Sequence, residues 1–277
     1  MKKSIAALLA VSTALLSTAA LAEADSIDTS RESEATVATQ VAAKPDTTEL
    51  ELASGADYAV GHYGAASDTS VVSIPFDVKL RSGKFRAQAS LPYVFVDGPG
   101  KMVGGVIVND PSSTGTVSRS GIGDVNLSAA YLLNQESGIL PAFELGGGMK
   151  VPTANQAIGT GKLDYSVTLS AYKSVSSKAM LFGSVGYSWL TSPAAYRLED
   201  GIAASGGFNL RPSTATNLGF SVAYRAPVAS GLQAQAVVSP YTTYRVSRKL
   251  GLTLYGMAGL NDASPRMGAG LRLSVFQ

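Results

Sequence analysis

The chain has 277 residues, a formal net charge of +2, one histidine and no cysteine. So even a balance is too weak to argue for a nucleic-acid surface. Without cysteine the fold stands without disulfide staples, and one histidine leaves no His/Cys cluster for a transition metal.

Residues 1–22 read as a secretory signal peptide: Lys2 and Lys3 lead, an apolar run from Ile5 to about Leu16 follows, and Ala20-Leu21-Ala22 is a small-x-small cleavage site. The apolar run is shorter than the roughly 20 residues a spanning helix needs. Residues 23–48 carry Glu23, Asp25, Asp28, Glu32, Glu34 and Asp46 against Arg31 and Lys44, with no aromatic residue. That composition reads as a flexible acidic segment, either free in the periplasm or folded back toward basic residues of the lumen.

From Glu49 to the end, alternation of apolar and polar residues recurs. The clearest case is 71–96, where Val72, Ile74, Phe76, Val78 and Leu80, then Phe85 to Phe95, alternate with Ser73, Asp77, Lys79, Arg81, Lys84, Arg86, Gln88 and Ser90. Ser82-Gly83 between the runs predicts a tight hairpin. The same period predicts about 12 strands, at 49–63, 71–81, 84–96, 121–133, 139–151, 162–174, 179–190, 202–210, 216–225, 232–246, 249–260 and 267–276. Most are as long as the roughly 9–11 residues of a tilted membrane strand. Short turns fall at one end and longer loops at the other, with 97–120 far the longest. The expected fold is therefore all-β, a single antiparallel transmembrane barrel over 49–277. Its termini and short turns face the periplasm of a Gram-negative envelope. A soluble secreted β-sandwich or lipocalin-like barrel is the rival fold.

Magnitude orients the strands. A basic residue on the lipid face costs roughly 2–4 kcal/mol near the midplane, and turning 71–81 over would put Asp77, Lys79 and Arg81 into lipid together. Aromatics cluster in two girdles: Phe85, Tyr131, Phe143, Phe208 and Tyr244 low; Tyr93, Phe95, Tyr165, Tyr187, Trp189 and Tyr224 high. Inward then face Asp77, Lys79, Arg81, Arg86, Asp124, Glu144, Lys150, Asp164 and Arg272, the candidate lining of a substrate pathway. The same charges could instead pair with one another and fill a closed barrel.

Enzyme chemistry finds no support. His62 is followed by Tyr63-Gly64, without the His-x-Ser pair of an outer-membrane phospholipase. GTGK at 159–162 lacks the upstream glycine and the Ser/Thr of a phosphate loop. No catalytic residue, cofactor or metal is expected.

Three stretches, GIGDVNLSAAYLL (121–133), KVPTANQAIGTGKLDYSVTLSAYKSV (150–175) and LYGMAGLNDASPRMGAGLRL (254–273), carry a resemblance. They are similar to the outer-membrane barrel family named for the MetA pathway of phenol degradation. By position, Gly121, Gly123 and Asp124 match one motif; Lys150, Pro152, Thr153, Gly159, Thr160 and Gly161 a second; Gly259, Leu260, Ser264, Pro265, Gly268, Gly270 and Leu271 a third. The resemblance implies a transporter of aromatic or other hydrophobic compounds. Ala154 stands where the family usually has glycine, so the loop after the fifth strand is expected to differ. The ending Val275-Phe276-Gln277 puts an aromatic one residue before the place that barrel-insertion machinery usually reads. The expected function is passive passage of small molecules, aromatic or hydrophobic compounds among them. The alternative is a closed barrel with a structural or surface-interaction role. Expected partners are outer-membrane lipid, the insertion machinery and small solutes, with no nucleic acid.

Overall fold

A computed structural model describes residues 48–103, 106–109, 117–155, 158–194 and 196–277. The expected signal peptide and residues 23–47 of the acidic segment lie outside the described residues. The strands are β1 (Thr48–Gly61), β2 (Thr69–Ser82), β3 (Phe85–Gly98), β4 (Gly100–Val103), β5 (Val106–Asn109), β6 (Val117–Ile122), β7 (Val125–Asn134), β8 (Ala142–Val151), β9 (Asp164–Ser176), β10 (Ala179–Trp189), β11 (Gly201–Leu210), β12 (Thr216–Arg225), β13 (Gln235–Ser247), β14 (Leu250–Gly259) and β15 (Met267–Phe276).

Each wall strand pairs antiparallel with its neighbours, β15 returns to β1, and β2 pairs with β3, so the sheet closes on itself. β6 and β7 lie end to end along β3, one on Tyr93–Gly98 and the other on Phe85–Ser90. They make one wall strand in two pieces, and the result is a closed barrel of 12 wall strands. Closure removes sheet edges, the condition for a β-structure in a bilayer. The first turn is Gly83-Lys84, one residue later than the composition suggests, with Gly83 at φ +56°. Glycine takes that left-handed angle without strain.

The split in the fourth wall strand was not visible in the alternation. Between the pairs Ser90↔Asn126 and Tyr93↔Ile122, β3 has two residues and its partner three. This is a β-bulge. It moves even-numbered positions to the other face: Ile122 is 50 % exposed whereas Asn126 is 1 % exposed. A physical cause stands beside it. Pro75 and Pro92 face each other across β2 and β3, and neither can donate to the ladder. The bulge brings the Gly123 N–H to the Pro92 carbonyl at 2.8 Å.

Faces otherwise follow the expected parity. Phe76, Val78, Leu80, Leu169, Val185, Leu254 and Leu271 are exposed outward, while Asp77, Lys79, Arg86, Glu144 and Arg272 are buried inside. An apolar outer belt around a polar interior is the layout of a membrane-spanning barrel. Girdle aromatics meet in pairs on the outer face, Tyr93–Phe95 with centroids 5.0 Å apart and Tyr187–Trp189 at 5.1 Å.

Inside, aromatic rings lie flat on glycines of the next strand. A Cβ on Gly219 would overlap the Tyr241 ring, and one on Gly270 would overlap Tyr255. Each pair lets a large side chain cover the wall rather than cross the bore, an interior form of aromatic rescue.

Candidate functional site: the barrel interior

Eight of the 12 wall strands, from β14 through β1 to β9, carry most of the interior charge, and these charges pair. Arg272 bonds Asp77 and reaches Asp57 at 3.3 Å, while the Tyr255 hydroxyl donates to Asp57. Lys79 lies 3.7 Å from Glu51, and Arg86 bonds Glu144. Higher up, the Lys150 ammonium sits 3.1 Å from Asp124 and 2.9 Å from Asp164, all three 0–1 % exposed. It also donates to Thr160 Oγ1 at 3.0 Å. Ions taken out of water are tolerable only when paired and hydrogen-bonded, and these are. Eight of the nine expected lumen residues thus point inward and sit in clusters. The ninth, Arg81, is only half-buried and faces the carboxylate of Glu49.

Three further strands, β10 to β12, turn mostly small neutral side chains inward, beside Met180, Phe182 and Asn209 and, at the rim, Arg225. Ser184, Ser188, Ala203, Ser205, Ser221 and Ala223 face inward by the same parity, and Ser184 Oγ meets Ser205 Oγ at 2.8 Å. Ala203, Ser205 and Ala223 are partly exposed, in contrast to the charges opposite. Charge-based reading misses these residues, although inward Gly/Ala/Ser parity on three adjacent strands is a signal that was there to use.

The long loop between β3 and β6 contains the short hairpin β4–β5. Met102 and Ile107 of this hairpin pack on Val71, Val94 and Val96 of the inner wall, with Tyr63 and Ile158 beside them. Its far side packs elsewhere: Val108 joins Leu190, Leu198 and Val228, and Gln235 of β13 donates to the Ile107 carbonyl at 3.4 Å. β3 and β13 lie on nearly opposite sides of the ring. The hairpin therefore spans the mouth. Between it, Tyr63 and the 226–235 segment lies a cavity of about 340 Å³. The base is clasped by Thr69, whose Oγ1 accepts from the Gly100 N–H at 2.8 Å, and by Arg119, which donates to the Gly100 carbonyl at 2.7 Å.

Motifs far apart in sequence form one knot at the bulge. Asp124 Oδ1 accepts from the Ala154 N–H at 2.9 Å, Thr153 Oγ1 donates to the Gly123 carbonyl at 3.0 Å and accepts from the Val125 N–H at 2.9 Å. A Cβ on Gly159 would stand 2.7 Å from Ala154 Cβ and 3.0 Å from Asp124 Oδ2. Glycine is thus required at 159, not at 154, where the alanine packs against the hairpin cluster. The third motif closes the last hairpin: Ser264 Oγ donates to the Ala236 carbonyl and accepts from its N–H, both at 2.8 Å.

Two other sequence features resolve. His62 is exposed on the rim, its Nε2 3.4 Å from Asp68, whose other oxygen meets Arg266 at 3.0 Å. This ties the first and last upper loops. Phe276 turns inward, 6 % exposed, with the Arg245 guanidinium 4.0 Å above its ring.

Among solved structures, the chain superposes on the COG4313 outer membrane channel from Pseudomonas putida F1 with TM-score 0.64 and 14 % identity, over 85 % of this chain and 97 % of that one. The NanC porin follows at TM-score 0.50 and 8 % identity, over 82 % and 99 %. At such identities the likeness concerns the fold. No curated protein matches. The family model "Putative MetA-pathway of phenol degradation" matches residues 52–275, and the chain belongs to that family.

Proposed function

We propose that this barrel sits in the bacterial outer membrane, with both termini in the periplasm, and passes small molecules passively. The carrying observation is the state of the interior. Ser73, Ser90, Ser128, Thr168, Ser188 and Ser239 turn small polar side chains inward, inside a closed wall whose outer face is apolar. A polar interior within an apolar belt is the layout that supports a conduit for small solutes. Its width is limited by the paired charges on one side and opened by the small residues on the other.

The nine charged residues named from sequence act in this reading as the fixed side of the conduit, with Arg81 nearest the moving solute. Orientation follows from the ends: β1 and β15 start and finish where the turns are short, and Leu50 and Gln277 exchange backbone bonds there. In outer-membrane barrels that is the periplasmic end.

Planar-bilayer conductance of the full chain tests the proposal. Steady single-channel current is expected, and Ala223→Trp should reduce it severalfold while the barrel stays heat-modifiable on gels. Equal current in the variant would remove the small-residue wall from the path. A silent wild type would favour the second reading, a closed barrel with a structural role, which the density of buried ion pairs supports.

A further inference from the structure

The lower end of the barrel, where the turns are short and β1 begins at Thr48, carries more base than acid. Three pairs are made there: Lys79 with Glu51, Arg86 with Glu144, and Lys173 with Glu136. Beyond them, Lys84, Lys178, Arg211, Arg248 and Lys249 occupy the turns, and Arg81 and Arg245 stand near strand ends. Among the described residues of this end one further carboxylate side chain is present. It is Glu49, opposite Arg81 in the ladder and within electrostatic reach of Arg245.

Backbone bonds between turns string these cations along one arc of the rim. The Arg211 N–H donates to the Lys178 carbonyl at 2.7 Å, and the Arg245 N–H to the Ala215 carbonyl at 2.7 Å. The Arg245 guanidinium donates to the Arg248 carbonyl at 3.2 Å, and the Phe276 N–H to the Lys249 carbonyl at 3.0 Å. Thr48 pairs with Ser82, so β1 begins inside the arc, beside the turn that holds Lys84. Summed charge sets the potential there, whatever local partners each cation keeps.

The stretch that leads into Thr48 carries the opposite sign. Residues 23–47 hold Glu23, Asp25, Asp28, Glu32, Glu34 and Asp46 against Arg31 and Lys44, and Asp46 is two positions from the arc. A chain of that length reaches about 80 Å when fully extended, and a coil of it averages roughly 25–30 Å. A 12-strand ring with ~4.8 Å between strands and ~40° of tilt is only about 24 Å wide. Tethering gives an effective concentration on the order of millimolar, so weak charge contacts suffice.

We propose that residues 23–47 dock on this arc as an acidic strap across the lower mouth. Docking does not require an open bore; only its use, a charge-held restriction on current, rests on the passage reading.

The chain has no cysteine, so two spin labels can be placed on the full chain, at Ser33→Cys in the segment and Thr214→Cys in the exposed turn after β11. Electron–electron distances at low salt should be narrowly distributed and within the ~24 Å width of the ring. At 1 M salt, where screening acts beyond about 3 Å, that population should be lost. Replacing the six acids by Asn and Gln should abolish it at any salt. Lys178→Gln, Arg248→Gln and Lys249→Gln together, all at exposed turn positions, should deplete it without touching the wall. A population unchanged by salt or by the acid replacements would overturn the strap. A broad distribution in wild type at low salt would overturn it too, and binding of added oligoglutamate at the mouth would then give the arc to an acidic partner from outside. Bilayer current is read on the same proteins, and the acid-replaced variant should pass more current than wild type at low salt. Equal current in the two would overturn the restriction. Salt-sensitive docking with no current in either would leave the strap standing and sink the passage reading. Steady current with no docked population would do the reverse.

Discussion

Two regions of the barrel interior solve opposite problems. The eight wall strands from β14 through β1 to β9 carry acids and bases in contact, and these clusters are buried. The three strands from β10 to β12 turn mostly Ser, Ala and Gly inward, and Ala203, Ser205 and Ala223 among them are partly exposed. Paired charges hold each other and fix the wall; small residues reach less far into the bore. In a barrel of intermediate strand number, the proposed passage makes paired charge the fixed wall and sets the small residues beside the path.

The largest way to break this contrast is to remove the cation from the upper cluster. Lys150→Met should leave Asp124 and Asp164 buried without their partner, at a cost of about 3–5 kcal/mol. Urea-induced unfolding followed by loss of heat-modifiability would show it. Adding Asp124→Asn and Asp164→Asn to Lys150→Met should recover most of the loss, because the buried charges go with the lysine. No recovery would mean that the cluster acts through its hydrogen bonds, not its charges.

A smaller loss is expected where wall and ring interlock. Gly219→Val or Gly270→Val should cost about 1–3 kcal/mol by overpacking, since Tyr241 or Tyr255 must leave its seat. An unchanged midpoint would show that the rings have another place to lie.

Selectivity separates Arg81 from Arg86. Arg81→Ala should shift the reversal potential in a salt gradient toward cations, because Arg81 is partly exposed at the lower end. Arg86→Ala should chiefly destabilise, because Arg86 is buried on Glu144. The same shift in both variants would erase the distinction between wall and path.

The smallest effect lies outside the barrel wall. Glu136, in the turn between β7 and β8, is pulled up by burial, but hydrogen bonds from Lys173 and Ser174 outweigh this and hold its carboxyl below the usual range. A carboxyl lowered in the folded state adds stability that is full above its unfolded value near 4.5 and fades as pH falls through the folded one. The protection factor of the Ser174 amide, taken against its intrinsic exchange rate, should fall in acid in wild type, and Glu136→Gln should flatten that pH dependence.

The wall was legible in the sequence because alternation is a two-residue signal carried by many positions at once. Charged lumen residues were legible for the same reason. Their partners on β1, Glu51 and Asp57, share that parity with Glu49 and were equally readable. The bulge was not, because its cause is a proline on another strand, Pro92, which no local pattern around Gly123 reports. The mouth hairpin left a trace, Gly104-Gly105 between two apolar runs, overshadowed by the length of its loop.

The rings seated on glycines have a consequence for inheritance. Tyr241 and Gly219 stand on neighbouring strands, and so do Tyr255 and Gly270. Neither member of a pair is free to drift alone: a side chain at the glycine evicts the ring, and a lost ring uncovers the backbone beneath it. Viable descendants should exchange both members together or neither, so the four positions form two coupled characters rather than four independent ones.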